Sequence, residues 1–147
     1  IPTLNEVMDL IQGKVFLNIE LKGSQTAIET NNLLEEYFDK EEWSTEKILI
    51  SSFIWEELKK FRQINKEIPI AILTEDDPLD AIPIGLELDA ISINPHYETL
   101  NNENIQKIQK KGFKIYPWTV NSPNDIRLLI DKGVDGIITD FPERIVK

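Results

Sequence analysis

Segments that read as strands and segments that read as helices alternate along all 147 residues, and the gaps between the strands are too long for hairpins. "KVFLNIELK", "KILISSF", "IPIAILT", "DAISINP", "FKIYPWTVN" and "VDGIITD" are strand-like, six in all. A short helix leads in at "PTLNEVMDLIQG", with Thr3 as N-cap, Glu6 three residues on, and Gly13 as its stop. The second helix is expected over "SQTAIETNNLLEEYFDKEEW", with Ile28, Leu33, Leu34, Tyr37 and Phe38 on one face. "WEELKKFRQI" and "NNENIQKIQKKG" are further amphipathic segments, "PLDAIPIGLE" a weaker, proline-broken one, and "SPNDIRLLIDKG" a helix capped by Ser122 with Pro123 at its first position. Strands joined through helices in this way lie parallel, with right-handed crossovers, so the class is α/β.

No G-x-G-x-x-G or G-x-x-x-x-G-K loop follows any strand, which disfavours a nucleotide-binding doubly wound sheet and leaves a parallel barrel. Six units are two short of the eight in a TIM-type (β/α)8 barrel. Residues 1–147 therefore read as a single-domain fragment with open strand edges, expected to self-associate or to depend on a missing N-terminal segment. The first residue is Ile1 rather than Met, which fits a processed, excised or truncated product.

Charge excludes some partners. Lys and Arg total 16 against 26 Asp and Glu, a net charge of −10, which argues against binding through nucleic-acid phosphates or anionic lipid headgroups. No apolar run approaches the roughly 20 residues of a membrane span. With no cysteine there is no disulfide, zinc thiolate or cysteine nucleophile, a composition compatible with the cytosol or with an exported bacterial protein. The richness in Ile, Lys and Asn also fits a bacterial source.

In parallel barrels chemistry sits at the C-terminal ends of strands. Those positions here are Glu20 and Lys22, Ser51 and Ser52, Thr74 and Glu75, Asn94, Trp118 and Asn121, and Thr139 and Asp140. In "KVFLNIELKGS", Asn18, Glu20 and Lys22 fall on one face of a strand whose other face carries Leu17, Ile19 and Leu21. Glu20 and Lys22 are spaced roughly 6.5–7 Å along such a strand, within reach of one ligand or of each other. A carboxylate there suits a hard divalent cation, and an ammonium beside it suits a phosphoryl oxygen; a structural ion pair is the alternative.

His96, the only histidine, lies just past a strand end and is either a general acid or base or a residue that shapes the turn after Pro95, with no evident carboxylate partner nearby in sequence. Ser51 and Ser52 lack a nucleophile elbow and an activating histidine. Trp118 is either packing or the apolar wall of a pocket. "DKEEWSTE" and "TEDDPLD" read as solvated acidic loops.

"PTLNEVMDLIQGKVFLNIELKG", "ILISSF", "KIYPWTVN" and "KGVDGIITDFPERI", in this order and over nearly the whole chain, resemble the C-terminal part of the glycerophosphodiester phosphodiesterase family. The resemblance implies an eight-stranded α/β barrel that uses a divalent metal, calcium or magnesium. Such an enzyme hydrolyses glycerophosphodiesters, deacylated phospholipid headgroups, to an alcohol and sn-glycerol 3-phosphate. It also implies a His-Arg-Gly motif, a Glu-x-Asp metal pair on a second strand and a His-Asp motif, which have no counterparts here, so the two catalytic histidines of the family are absent. Glu20 matches the third metal ligand, Lys22 the phosphate-facing lysine, and Phe53 and Trp118 pocket-forming aromatics.

What the resemblance implies is thus metal-dependent hydrolysis in the intact protein, with this chain alone inactive. The alternative is a noncatalytic phosphate-binding module on a degenerate barrel.

Overall fold

The computed structural model describes residues 1–40 and 43–145. Among them, five strands and six α-helices follow one another without exception, and each assigned strand pairing is parallel. The chain divides into two compact units, Ile1–Ile70 and Ala71–Lys147.

In the first unit α1 (Leu4–Ile11) starts from the expected capping box: the Thr3 hydroxyl accepts from the Glu6 amide, and the Glu6 carboxylate accepts from the Thr3 amide at 2.7 Å. It stops where Gln12 and Gly13 both take positive φ, 51° and 61°. Then comes β1 (Leu17–Glu20), paired with β2 (Ile48–Ser52) from Leu17 opposite Ile48 to Glu20 opposite Ser51. The strand is shorter than the expected Lys14–Lys22 because pairing begins at Leu17, leaving Val15 and Phe16 exposed before it. Residue pairs in a parallel ladder share a face, so Glu20 and Ser51 lie on one side and Ile19 and Ile50 on the other.

Helix α2 (Thr26–Phe38) packs on α3 (Trp55–Ile64), and α3 on β2. Its buried stripe is Ala27, Leu34 and Tyr37: Leu34 and Tyr37 belong to the expected face, whereas Ile28, also expected there, is 52% exposed. Ile28 is about 100° round the helix from Ala27, and it is Ala27 that meets α3. The expected extension of this helix over Glu41 and Glu42 lies outside the described residues, as does that part of the acidic segment "DKEEWSTE". Trp43 of the same segment is buried, so a solvated loop is not the whole account of it.

In the second unit β3 (Ile70–Thr74) pairs with β4 (Ser92–Pro95), and β4 with β5 (Lys114–Ile115). Between β3 and β4 runs α4 (Ala81–Glu87), entered through a 3-10 turn at Pro78–Asp80. Pro83 is tolerated at its third residue, where a backbone N–H would have no helical acceptor. Helix α5 (Asn102–Lys110) follows β4, and α6 (Pro123–Asp131) follows β5. Ile72, Ile93, Ile105, Ile108 and Ile115 are essentially fully buried. Glu75, Asp76 and Asp77 are exposed, as expected of "TEDDPLD", with the Asp77 carboxylate accepting from the Leu79 amide.

The expected sixth strand, "VDGIITD", is not a regular strand. Its backbone nevertheless bonds to β5 and the segment after it: Asp135 N–H donates to Ile115 O, Ile138 N–H to Pro117 O, and Val120 N–H to Ile138 O. Pro117 has no N–H to give, which removes one rung from a continuous ladder.

Candidate functional site

Glu20, Lys22, Ser51, Ser52 and Phe53, singled out in the sequence, fall in the first unit. Glu20 is the last residue of β1, and Lys22 follows it by two. Their side chains form an ion pair, Nζ to Oε2 at 3.4 Å, with Lys22 78% and Glu20 28% exposed. The segment between them is fixed from below: Leu21 N–H donates to Ser51 O at 2.8 Å, and Ser52 Oγ donates to Leu21 O at 2.6 Å. Ser52 Oγ also accepts from the Ile54 amide, so this hydroxyl is a structural tie rather than a nucleophile. Phe53 follows β2 directly and is 38% exposed. A half-buried carboxylate and an exposed ammonium at a strand end tied by backbone hydrogen bonds can meet a charged ligand at low cost in reorganisation.

The second unit carries Trp118. Its indole N–H donates to Asn94 O at 2.8 Å, its backbone N–H to Pro95 O, and its own carbonyl accepts from Tyr97 N–H. A single parallel bridge joins it to His96. The two rings meet edge to face with centroids 5.1 Å apart. His96 also has the carboxylate that its sequence neighbourhood did not make evident, Glu98 Oε2 at 3.9 Å from Nδ1.

Three other strand-end residues are drawn together around Asn121, whose Oδ1 accepts from Thr139 Oγ1 and Asp140 N–H and whose Nδ2 donates to Asp140 Oδ2. Arg144, which no spacing had marked, donates to Asn121 O at 2.7 Å.

The sequence over residues 1–144 matches the glycerophosphoryl diester phosphodiesterase family. The chain belongs to that family. A glycerophosphodiester phosphodiesterase of Caldanaerobacter subterraneus subsp. tengcongensis is 35% identical over 99% of this chain and 60% of its own length. One from Bacillus subtilis is 30% identical over 97% of this chain and 52% of its own. The chain therefore spans roughly half to three-fifths of the length of these relatives.

Among solved structures, an Oleispira antarctica phosphodiesterase in complex with the product sn-glycerol-3-phosphate superposes with a TM-score of 0.85 at 26% identity, covering 99% of this chain and 60% of that one. The α/β class with parallel strands is that of the TIM-type barrels of this family.

Phosphodiesterases of this family are generally metal-dependent. Glu20 offers the hard oxygen that a divalent cation prefers. Among the described residues, however, no group of three or more His, Cys, Asp or Glu is arranged to hold a metal ion. The letters Glu-x-Asp do occur, at Glu75–Asp77 and Glu87–Asp89, but the first is an exposed turn and the second spans the end of α4. Neither belongs to a group of metal-ligating side chains among the described residues. The described residues offer a carboxylate of the right type at Glu20 but no assembled metal site.

Proposed function

We propose that the complete gene product hydrolyses glycerophosphodiesters to an alcohol and sn-glycerol 3-phosphate, and that this chain supplies Glu20 and Lys22 to the reaction. The observation that carries the reading is the Glu20–Lys22 pair, exposed and 3.4 Å apart at the C-terminal end of β1, in a chain that belongs to this phosphodiesterase family. Glu20 is one carboxylate ligand of a divalent cation, calcium or magnesium. The other ligands come from the portion of the relatives' length outside these residues. Such a cation neutralises charge on a phosphoryl group.

Lys22 faces the nonbridging oxygens. In hydrolysis a water oxygen bonds to phosphorus while the bond from phosphorus to the alcohol oxygen breaks, and the alcohol leaves with a proton. Negative charge grows on the nonbridging oxygens as this happens, and a fixed ammonium lowers the barrier by being in place beforehand. Phe53, which directly follows β2 in the same unit, is a substrate-contacting aromatic in this reading. The 147 residues alone are inactive in this reading, because they contain one histidine where the family mechanism uses two.

The test is turnover of glycerophosphocholine by the complete gene product across a calcium and magnesium titration, for the wild type and for Glu20→Gln. Metal-dependent turnover that Glu20→Gln abolishes is the expected result. Wild-type activity in the variant at every metal concentration would remove Glu20 from the site. A wild type that binds sn-glycerol 3-phosphate without any hydrolysis would establish the noncatalytic binding module instead.

A further inference from the structure

The first unit buries a carboxylate, Glu57, and its contacts lead to the loop that bears Lys22. Glu57 is the third residue of α3, and its Oε2 accepts from the Ala27 amide at 3.1 Å. Ala27 is the second residue of α2, and Gln25, which caps that helix in the left-handed region at φ 70°, makes no side-chain cap bond of its own. A Ser, Thr, Asp or Asn at an N-cap satisfies a helix locally. Drawing the acceptor from α3 instead costs the desolvation of a carboxylate, offset here by the Lys60 ammonium at 2.7 Å from Oε1. What the arrangement adds is a tie between α3 and the residues that lead into α2.

Those residues form a short loop with both ends buried. Leu21 is held at the near end by Ser51 O and Ser52 Oγ, and Ala27 at the far end by Glu57. Thr26 Oγ1 donates to Gly23 O at 2.7 Å and closes the loop on itself. Lys22 is the first residue inside it. Both grips come from one turn: the Ile54 amide donates to Ser52 Oγ at 2.9 Å, and Ile54 O accepts from the Glu57 amide at 2.9 Å. The turn between β2 and α3 therefore fixes the Lys22 loop at each end. With the Ala27 end released, the loop is held at one end only and Lys22 samples many more positions.

The geometry points to Glu57 as a positioning residue: by holding Ala27 it keeps the Lys22 ammonium where a phosphoryl group can meet it. Glu57 is itself too deeply buried to meet a ligand, so it acts through the loop. The assignment rests on the proposed role of Lys22, and it adds a reason for the ammonium to be in place before the substrate arrives.

The experiment is a double-mutant cycle in the complete gene product, reading kcat, KM and the half-saturating metal concentration for glycerophosphocholine hydrolysis, with each variant's stability measured by urea denaturation. Glu57→Gln removes the charge and keeps an oxygen that reaches the Ala27 amide. It should keep kcat within about twofold of the wild type although it is less stable. Glu57→Asp keeps the charge and draws the acceptor back by one methylene. It should lower kcat about tenfold, with the half-saturating metal concentration unchanged because Glu20 lies on β1 outside the loop. In a Lys22→Ala background Glu57→Asp should lower kcat by less than about twofold further, because the group it positions is gone.

The reverse order, with Glu57→Gln losing kcat and Glu57→Asp keeping it, overturns the inference. So does a Glu57→Asp loss of the same factor with and without Lys22, which would make Glu57 a helix cap and nothing more. A complete gene product without turnover, or a Lys22→Ala protein as active as the wild type, fails at the proposed function itself, and this inference falls with it.

Discussion

Lys22 Nζ lies 3.4 Å from Glu20 Oε2, yet the lysine is 78% exposed, so the pair holds very little of the fold together. Exposed ion pairs contribute roughly 0–1 kcal/mol, because water screens them and two long side chains must be ordered. Here the strand already fixes both backbones through the Leu21–Ser51 and Ser52–Leu21 bonds. Lys22→Ala should therefore shift the unfolding free energy by less than about 1 kcal/mol by urea denaturation. In the complete gene product the same change should lower glycerophosphocholine turnover by about 10²–10³-fold, as loss of one preorganised charge does elsewhere. Equal damage to stability and activity would mean that the pair is structural.

Glu57 shows the opposite balance. It sits on α3 with 1% of its surface exposed, yet its carboxylate serves α2. The N-cap of α2, Gln25, makes no side-chain cap bond, and Glu57 Oε2 accepts from the Ala27 amide at 3.1 Å in its place. Lys60 pairs with the other oxygen at 2.7 Å. The Lys60 hydrogen bond is the main influence holding the Glu57 carboxyl below its ordinary value of 4.5; burial works against it, and the amides of Ala27 and Gln25 support it.

A depressed folded-state value means that this stabilisation is complete above the unfolded-state value and is lost as pH falls through the folded one. Glu57→Gln should cost about 1–3 kcal/mol at pH 7. It should also flatten the acid limb of stability below about pH 4.5, measured by denaturant melts at successive pH values.

The alternation of strands and helices was legible because each helix carries its own apolar period and its own punctuation. Thr3 with Glu6, Ser122 with Pro123, and the stop at Gly112 all describe local backbone, and local residues determine them. The ends of the strands were less so. Val15 and Phe16 are as strand-like as Leu17, but only the neighbour's Ile48 decides where pairing begins. "VDGIITD" has strand composition and makes ladder-type bonds, while Pro117 opposite it breaks the regular pattern.

Of the candidate site, Glu20 and Lys22 stood out because a period of two puts them on one face. Glu98 beside His96, and Arg144 beside Asn121, are joined by turns whose geometry no periodicity encodes.

Gly85 illustrates packing that overrides propensity. It lies inside α4, where alanine would normally add roughly 0.5–1 kcal/mol of helix stability. A Cβ at this position would come within 2.8 Å of the Phe113 ring, which is itself buried. Gly85→Ala should therefore destabilise the protein by about 1–3 kcal/mol, opposite in sign to the propensity effect. Gly85→Ala combined with Phe113→Leu should recover part of that loss in thermal melts, since the shortened side chain vacates the contested volume.

Asn121 ties the segment after β5 to the end of the chain, and it does so with every polar atom of its side chain. Its Oδ1 takes two donors, Thr139 Oγ1 at 3.1 Å and Asp140 N–H at 3.0 Å, and its Nδ2 gives one bond to Asp140 Oδ2 at 2.8 Å. Arg144 reinforces the same link through Asn121 O while its guanidinium lies 3.7 Å from the centre of the Phe141 ring. The backbone bonds Ile138 to Pro117 and Val120 to Ile138 flank the Trp118 position, so loosening the clamp should be felt there first.

Asn121→Ala leaves three polar groups without their partner, at a cost of about 1–2 kcal/mol given that Asp140 is exposed and can turn to water. Hydrogen exchange should show faster exchange of the Val120 and Ile138 amides with little change at Ile72 or Ile93 in the strand core. Asn121→Asp keeps the two acceptor bonds but sets a second carboxylate against Asp140 in place of the Nδ2 donor, so the same two amides should exchange faster than in the wild type. Uniform acceleration across β3 and β4 in either variant would show that Asn121 supports the whole unit and not this segment.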